Sequence, residues 1–217
     1  MRITHLGHAC LLIEAGGRRI LLDPGTFSSG IVDLTELDAI LVTHQHADHV
    51  DLSRLPALVD NNPQARLYAE PQAASTVQEA GIGAQCLVAG EVLSFGPVEV
   101  TPVGQMHALI NEALPRIGNL GLVLRAGGEP SVFHPGDAYD VEPGEIEILA
   151  LPLNAPWTAS RDTVAFAQRI SPRFCIPIHD ALLSEIGRAL YVSQVESFGP
   201  DGMQVCDLSD GTAHEFI

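Results

Sequence analysis

The chain of 217 residues carries a formal net charge of −16, and all 11 of its basic residues are arginine. So acidic a surface repels phosphate backbones, which excludes nonspecific nucleic-acid binding. With 46% hydrophobic and 18% charged residues, the composition suits a filled core, and the length suits a single domain over residues 1–217.

The elements are read in chain order. "CLLIEAG" and "RRILLDPG" are apolar runs separated by Gly16 and Gly17, which predicts a hairpin. "DAILVTHQH" is a third strand, and its continuous Ile-Leu-Val predicts burial on both faces. A helix is expected over 51–60, capped by Asp51, with Leu52, Leu55, Leu58 and Val59 on one face. "RLYAE" reads as a short strand, and 71–80 as a helix opened by Pro71. "EVLSFGPVEVTPVGQMH" predicts a hairpin turning at Gly96 and Pro97 and ending on His107. "LGLVLRAGGEPSVFHPGDAY" repeats the plan, turning at Gly127 and Gly128 and ending on Asp137. The strand "EIEILALPLN", an amphipathic helix over 158–170 and the strand "RFCIPIHD", ending on His179, follow. A helix over 181–197 and a closing strand "MQVCDLSDG" complete the chain.

Cys10, Cys86, Cys175 and Cys206 form no CxxC pair, and each lies in or beside an apolar stretch, so reduced core thiols are expected. "MRITHLGHAC" lacks a charged-then-apolar leader pattern, and no apolar run approaches the roughly 20 residues that span a bilayer. These features point to the cytoplasm.

Several buried strands end on residues able to bind metal: His44 and His46, His107, Asp137 and His179. In layered α/β architecture such strand ends converge on one sheet edge. The strand–strand–helix mixture in both halves predicts an αββα sandwich, with two mixed sheets face to face and helices outside. In "HQHADH", His44 and His46 are two apart, so in extended backbone their side chains point the same way and can grip one cation. Asp48 and His49 follow where the chain turns, and can face a neighbouring site. We infer His44, His46 and His107 on one metal, Asp48, His49 and His179 on the other, and Asp137 shared. Nitrogen-rich ligation favours zinc, with manganese or iron as alternatives.

"THQHADHV", then "PGD" and "PIH" in order after a glycine-rich start, resembles the metallo-β-lactamase superfamily over nearly the whole chain. "THLGHACLLIE", "ILLDPG", "VFHPGDAY" and "ILALPLN" are similar to its L-ascorbate-6-phosphate lactonase-like subgroup. The resemblance implies an αββα sandwich and a two-metal hydrolase, with ligand roles for His44, His46, Asp48, His49, His107, Asp137 and His179. It implies a metal-bridged hydroxide as nucleophile, oriented by Asp48. Three departures matter. Asn154-Ala155-Pro156-Trp157 stands where the subgroup has small glycines. "VDL" replaces the glycine pair of glyoxalase II-type thioesterases. His46 stands where flavodiiron redox proteins carry glutamate, which favours hydrolysis.

Asp23 is a candidate acceptor for a ligating histidine, or a plain Asp-Pro turn. His8 is expected near the site, and His134 to support its loop; His5 and His214 are read as surface residues. Trp157, the only tryptophan, lines the pocket or serves as a core or hinge residue. Arg116, with Arg161 and Arg188 behind it, holds an anionic group or is simply solvated. Cys10 shows no sign of activation. The expected activity is hydrolysis of a small ester, lactone or phosphoester. The competing readings are an RNA-processing phosphodiesterase of the same fold and a metal-binding sensor or scaffold without turnover. A homo-oligomer in which a neighbouring subunit completes the pocket is a further expectation.

Overall fold

The computed structural model describes residues 1–217. Two seven-stranded sheets face one another. The first contains β1 (Arg2–His5), β2 (Leu11–Ala15), β3 (Arg18–Leu22), β4 (Ala39–Val42), β5 (Arg66–Ala69) and β6 (Gln85–Cys86) side by side, with β14 (His214–Glu215) outside β1. The second runs in order from β7 (Leu93–Phe95) through β8 (Val98–Val103), β9 (Gly121–Ala126), β10 (Val132–His134), β11 (Ile148–Pro152) and β12 (Phe174–Ile178) to β13 (Gln204–Val205). The helices are α1 (Leu55–Asp60), α2 (Pro71–Glu79), α3 (Ser160–Ile170) and α4 (Glu185–Phe198).

The alternation of side chains along the strands builds three apolar layers. Leu11, Ile13, Ile20, Leu22 and Leu41 meet Val98, Val100, Leu122, Leu124, Ile148 and Ile176 between the sheets. The opposite face of the first sheet, with Leu12, Leu21, Ile40 and Val42, packs under Leu55 and Leu58 of α1 and Ala73, Ala74 and Val77 of α2. Val123, Phe133, Leu149 and Leu151 pack likewise under Phe166 and Ala167 of α3 and Val195 of α4. This is the αββα sandwich, as the chain's pattern predicts.

Strands β3 to β6 run parallel, as do β10 to β13, and β8 is parallel to β10 across antiparallel β9. Their carboxyl ends therefore deliver Asp23, the 43–49 loop, His107, Asp137 and His179 to one edge of the sandwich.

Some boundaries differ from expectation. Pro56 has no N–H to donate, so the first helix starts only at Leu55. Residues 51–54 form a turn in which the Asp51 carboxylate accepts from Ser53 N (2.8 Å) and Arg54 N (3.3 Å), and Leu52 is exposed rather than on the packed face. The last helix starts at Glu185 because extended Ser184 caps it, its hydroxyl accepting from Gly187 N. Only Gln204 and Val205 of the closing strand pair with β12; β1 and β14 were not anticipated. His5 is buried and not a surface residue: it donates from Nε2 to the His8 carbonyl at 2.8 Å. Of the cysteines, Cys10 and Cys175 are core thiols, whereas Cys86 is exposed and Cys206 half-buried, because β6 and β13 are edge strands. No helix is long and apolar enough to cross a membrane.

Candidate metal centre

Strand β4 ends at Val42, and residues 43–49 are bends and turns. The pairing of His44 with His46 therefore comes from the loop and not from extended backbone. Even so, His44 Nε2 and His46 Nδ1 lie 3.1 Å apart. The loop stays close to the preceding one because Gly25 has no side chain: a Cβ there would sit 1.7 Å from the Asp48 carbonyl oxygen. Gly136, at φ 60°, lets the "PGD" turn reach Thr43 and Asn119 in the same way.

All seven expected residues meet at this edge, and His8 joins them. Ligand atoms of His44, His46, His107 and Asp137 lie within 4.8 Å of one another, as do those of His8, Asp48, His49 and His179. Asp137 faces both groups: Oδ2 is 3.3 Å from His107 Nε2, and Oδ1 is 3.1 Å from His49 Nε2 and 3.3 Å from His179 Nε2. His44 and His49 are buried, while His46 and Asp48 are half-exposed and mark the open side. His8, Asp23 and His179 have left-handed backbone, at φ 55°, 46° and 57°. Strain of this kind persists where the surrounding structure enforces it.

The ring orientations are set from behind. His107 Nδ1 donates to the Ala108 carbonyl (2.6 Å), His179 Nδ1 to the Asn154 carbonyl (2.7 Å), His49 Nδ1 to Asp23 Oδ2 (2.7 Å) and His44 Nδ1 to Thr43 Oγ1 (3.1 Å). With the ring neutral, each pairing leaves Nε2 with a lone pair aimed inward, the tautomer a ligating histidine needs. His49 Nε2, His107 Nε2, His179 Nε2 and Asp137 Oδ1 are buried without any hydrogen-bond partner. Four such atoms facing one space cost several kcal/mol in total, at roughly 1–3 kcal/mol each. Two divalent cations would satisfy all of them, so the residues fit a dinuclear metal cofactor.

His8 differs in kind. Its Nδ1 accepts from Ala181 N at 3.3 Å, which places the proton on Nε2, where it donates to Asp48 Oδ2 at 3.1 Å. His8 thus orients a carboxylate and is not itself set up to ligate. His134 follows the same tautomer, accepting from Gly136 N and donating to the Ala9 carbonyl, so it braces the loop. Asp23 accepts from Thr43 N, Thr43 Oγ1 and His49 Nδ1, well beyond a turn residue's role. Trp157 belongs to the site: its Nε1 donates to Asp137 Oδ2 at 2.9 Å. The sequence assigns no supporting role to Thr43, Asn119 or the Asn154 carbonyl. Their only signal was adjacency to a ligand or its loop.

Burial raises Asp48, but the His8 hydrogen bond and nearby His49 and His179 outweigh it and hold the carboxyl at about 2. Burial drives His44 well below the ordinary histidine value, aided by neighbouring His49. His49 goes the other way: burial opposes its charge, but Asp137 and Asp23 on either side raise it well above that value. Asp137 raises His179 against burial too. In metal-free protein these two rings therefore keep a second proton to higher pH than an ordinary histidine, and their stabilising contribution is present below about pH 6.5 and lost as pH rises through the raised folded values. Metal uptake at neutral pH is expected to expel protons and to tighten with rising pH. Titration calorimetry in buffers of different ionisation enthalpy measures this, and a buffer-independent heat would contradict it.

Replacing Trp157 by phenylalanine keeps the ring but removes the N–H. The variant is expected to hold metal about tenfold more weakly, at the lower end for loss of an outer-shell partner. Competition with a chelator reads the affinity.

Arg161 is exposed on α3, and Arg188 is engaged with Asp180 and Asp207, so neither reaches the site. Arg116 lies beside it, with Nε and Nη2 on the His107 carbonyl at 3.1 and 2.7 Å. Cys10 is buried, and burial first of all pushes its thiol upward, so it is no nucleophile. His214 is exposed on the edge strand.

The sequence profile of the beta-lactamase superfamily domain matches residues 2–179. Protein Rv0786c of Mycobacterium tuberculosis is 39% identical over 206 residues, covering 94% of this chain and 96% of its own. A metal-dependent hydrolase of Methanopyrus kandleri is 30% identical over 240 residues, covering 99% of this chain and 100% of its own. The solved structure of Igni18, a metallo hydrolase from Ignicoccus hospitalis, superposes with a TM-score of 0.75 at 17% identity, covering 100% of this chain and 99% of that one. Two sandwiched sheets, two convergent ligand groups and this match over most of the chain lead to one conclusion: the protein belongs to the beta-lactamase superfamily of metal-dependent hydrolases and has the metallo-β-lactamase fold.

Proposed function

We propose that the protein hydrolyses a small ester, lactone or phosphoester, with His44, His46 and His107 holding one divalent cation, Asp48, His49 and His179 a second, and Asp137 shared. The observation that carries this reading is the set of four buried, unpartnered ligand atoms converging on one space. Imidazole-rich donors favour zinc, with manganese or iron next. Bound there, the metals would supply an activated water and polarise the scissile group.

The chain's own residues do the rest. Asp23, Thr43, Asn154 and the Ala108 carbonyl fix the imidazoles before substrate arrives. His8 keeps Asp48 ionised and aimed, so that Asp48 serves as ligand and orienting acceptor at the open edge. The motif likeness to the lactonase-like subgroup favours a lactone or a phosphorylated ester. A cytoplasmic setting accords with four free thiols, and the acid surface with a small-molecule substrate, not nucleic acid.

The test is elemental analysis of protein purified without chelator or affinity metal, followed by a screen of esters, lactones and phosphoesters with the metal found. Near two equivalents per chain and metal-dependent turnover are expected. A folded chain that takes up no metal after reconstitution would overturn the reading.

A further inference from the structure

The segment after His107, residues 108–117, leaves the metal centre as a loop closed at its neck. His107 N donates to the Ile117 carbonyl at 2.9 Å, and Met106 bridges Gly118. Between this loop and the site lies a cavity of about 150 Å³, walled by Leu109, Leu114 and Ile117 and floored by His46 and His107. Larger clefts, of about 690 and 580 Å³, open at the other end of the strands, among Glu99, Arg125 and Glu147, and among Arg2, Glu14 and Arg19. They contain none of the ligand residues. The small cavity is the one that shares its floor with the first ligand group.

Leu109 and Leu114 are 49% and 54% exposed. Two large aliphatic side chains held in water on a tied loop are stabilised when an apolar group covers them. A cavity on the order of 150 Å³ with aliphatic walls accommodates a molecule of about six carbons. The charged neighbour, Arg116, turns its Nε and Nη2 edge onto the His107 carbonyl. That edge, which would otherwise grip a carboxylate side-on, is occupied.

We infer that this cavity is the subsite for an uncharged aliphatic acyl or alkyl substituent of about four to six carbons, flanking the bond cleaved at the metal centre. The orientation relative to the scissile bond rests on the hydrolase reading; the apolar subsite does not.

The test is calorimetry of the metal-loaded full chain with acetate, butyrate, pentanoate, hexanoate and glutarate. Affinity is expected to rise two- to fourfold per methylene up to about six carbons and then level, following about 0.8 kcal/mol per buried methylene. In the double variant Leu109→Ser, Leu114→Ser the rise is expected to flatten at unchanged metal content, while Leu114→Met retains it. A flat wild-type series, or a serine variant with the wild-type slope, would overturn the inference. So would tighter binding of glutarate than of pentanoate, which would make Arg116 an anion clamp. A parallel series of 1-alkanols on metal-free protein, read by NMR shifts of the Leu109 and Leu114 methyls, separates the two readings. Chain-length dependence there with no metal uptake would sink the hydrolase and leave the subsite standing; its absence would sink the subsite.

Discussion

His179→Ala and His46→Ala are each expected to cost about one of two metal equivalents and to lower turnover more than 100-fold, beyond the roughly 10–100-fold typical of losing only an outer-shell partner. The two rings lie in different ligand groups. His179 Nε2 faces Asp137 Oδ1 at 3.3 Å and Asp48 Oδ2 at 3.6 Å, so its removal opens the second group. His46 sits against His44 at 3.1 Å in the first. Both lie in loops outside the apolar layers, so circular dichroism is expected to match the parent. Elemental analysis decides the matter: both variants retaining two equivalents would refute the assignment. A shared drop to zero would show instead that the pair binds cooperatively through Asp137.

Asp23→Ala is expected to destabilise the metal-free protein by about 3–5 kcal/mol, the range for breaking a buried charged pair on one side. Asp23 is fully buried, and its carboxylate accepts three bonds of 2.7–2.8 Å, from Thr43 N, Thr43 Oγ1 and His49 Nδ1. Alanine strands all three donors and leaves the raised charge on His49 without one of its two carboxylates. Asp23→Asn, which keeps an acceptor oxygen, is expected to lose less. Urea unfolding after chelator treatment measures both. Asp23→Ala is also expected to weaken metal binding by about 10–100-fold, because the His49 ring loses its anchor. An alanine variant with parental stability would mean that Asp23 is only a turn residue.

The residues of the candidate metal centre were legible because some of them are crowded in sequence. His44, His46, Asp48 and His49 fall within six positions after an apolar strand, and few structural demands produce that density. His107, Asp137 and His179 were legible through a different rule: each follows a buried strand, and parallel strands deliver their carboxyl ends to one edge. His8 and Trp157 were only half legible. Each is a single residue in a loop, and nothing in "LGHAC" or "NAPWT" says which way a ring points. His5 reads as a surface residue because a single histidine in "RITHLG" carries no signal of burial, yet β1 tucks it beneath the His8 turn.

By itself, then, the sequence determined the layers, the strand ends and the donor set, since periodicity and ligand chemistry are local properties. Tertiary structure alone decided which atoms are bare. The tautomer of His8 depends on an amide 173 residues away, at Ala181. The partner of Asp137 Oδ2 is an indole from the loop after β11. The small cavity exists because a loop folds back and ties to the carbonyl of His107. Hydrogen-bond direction and enclosed volume arise from groups distant in the chain, and no local pattern encodes them.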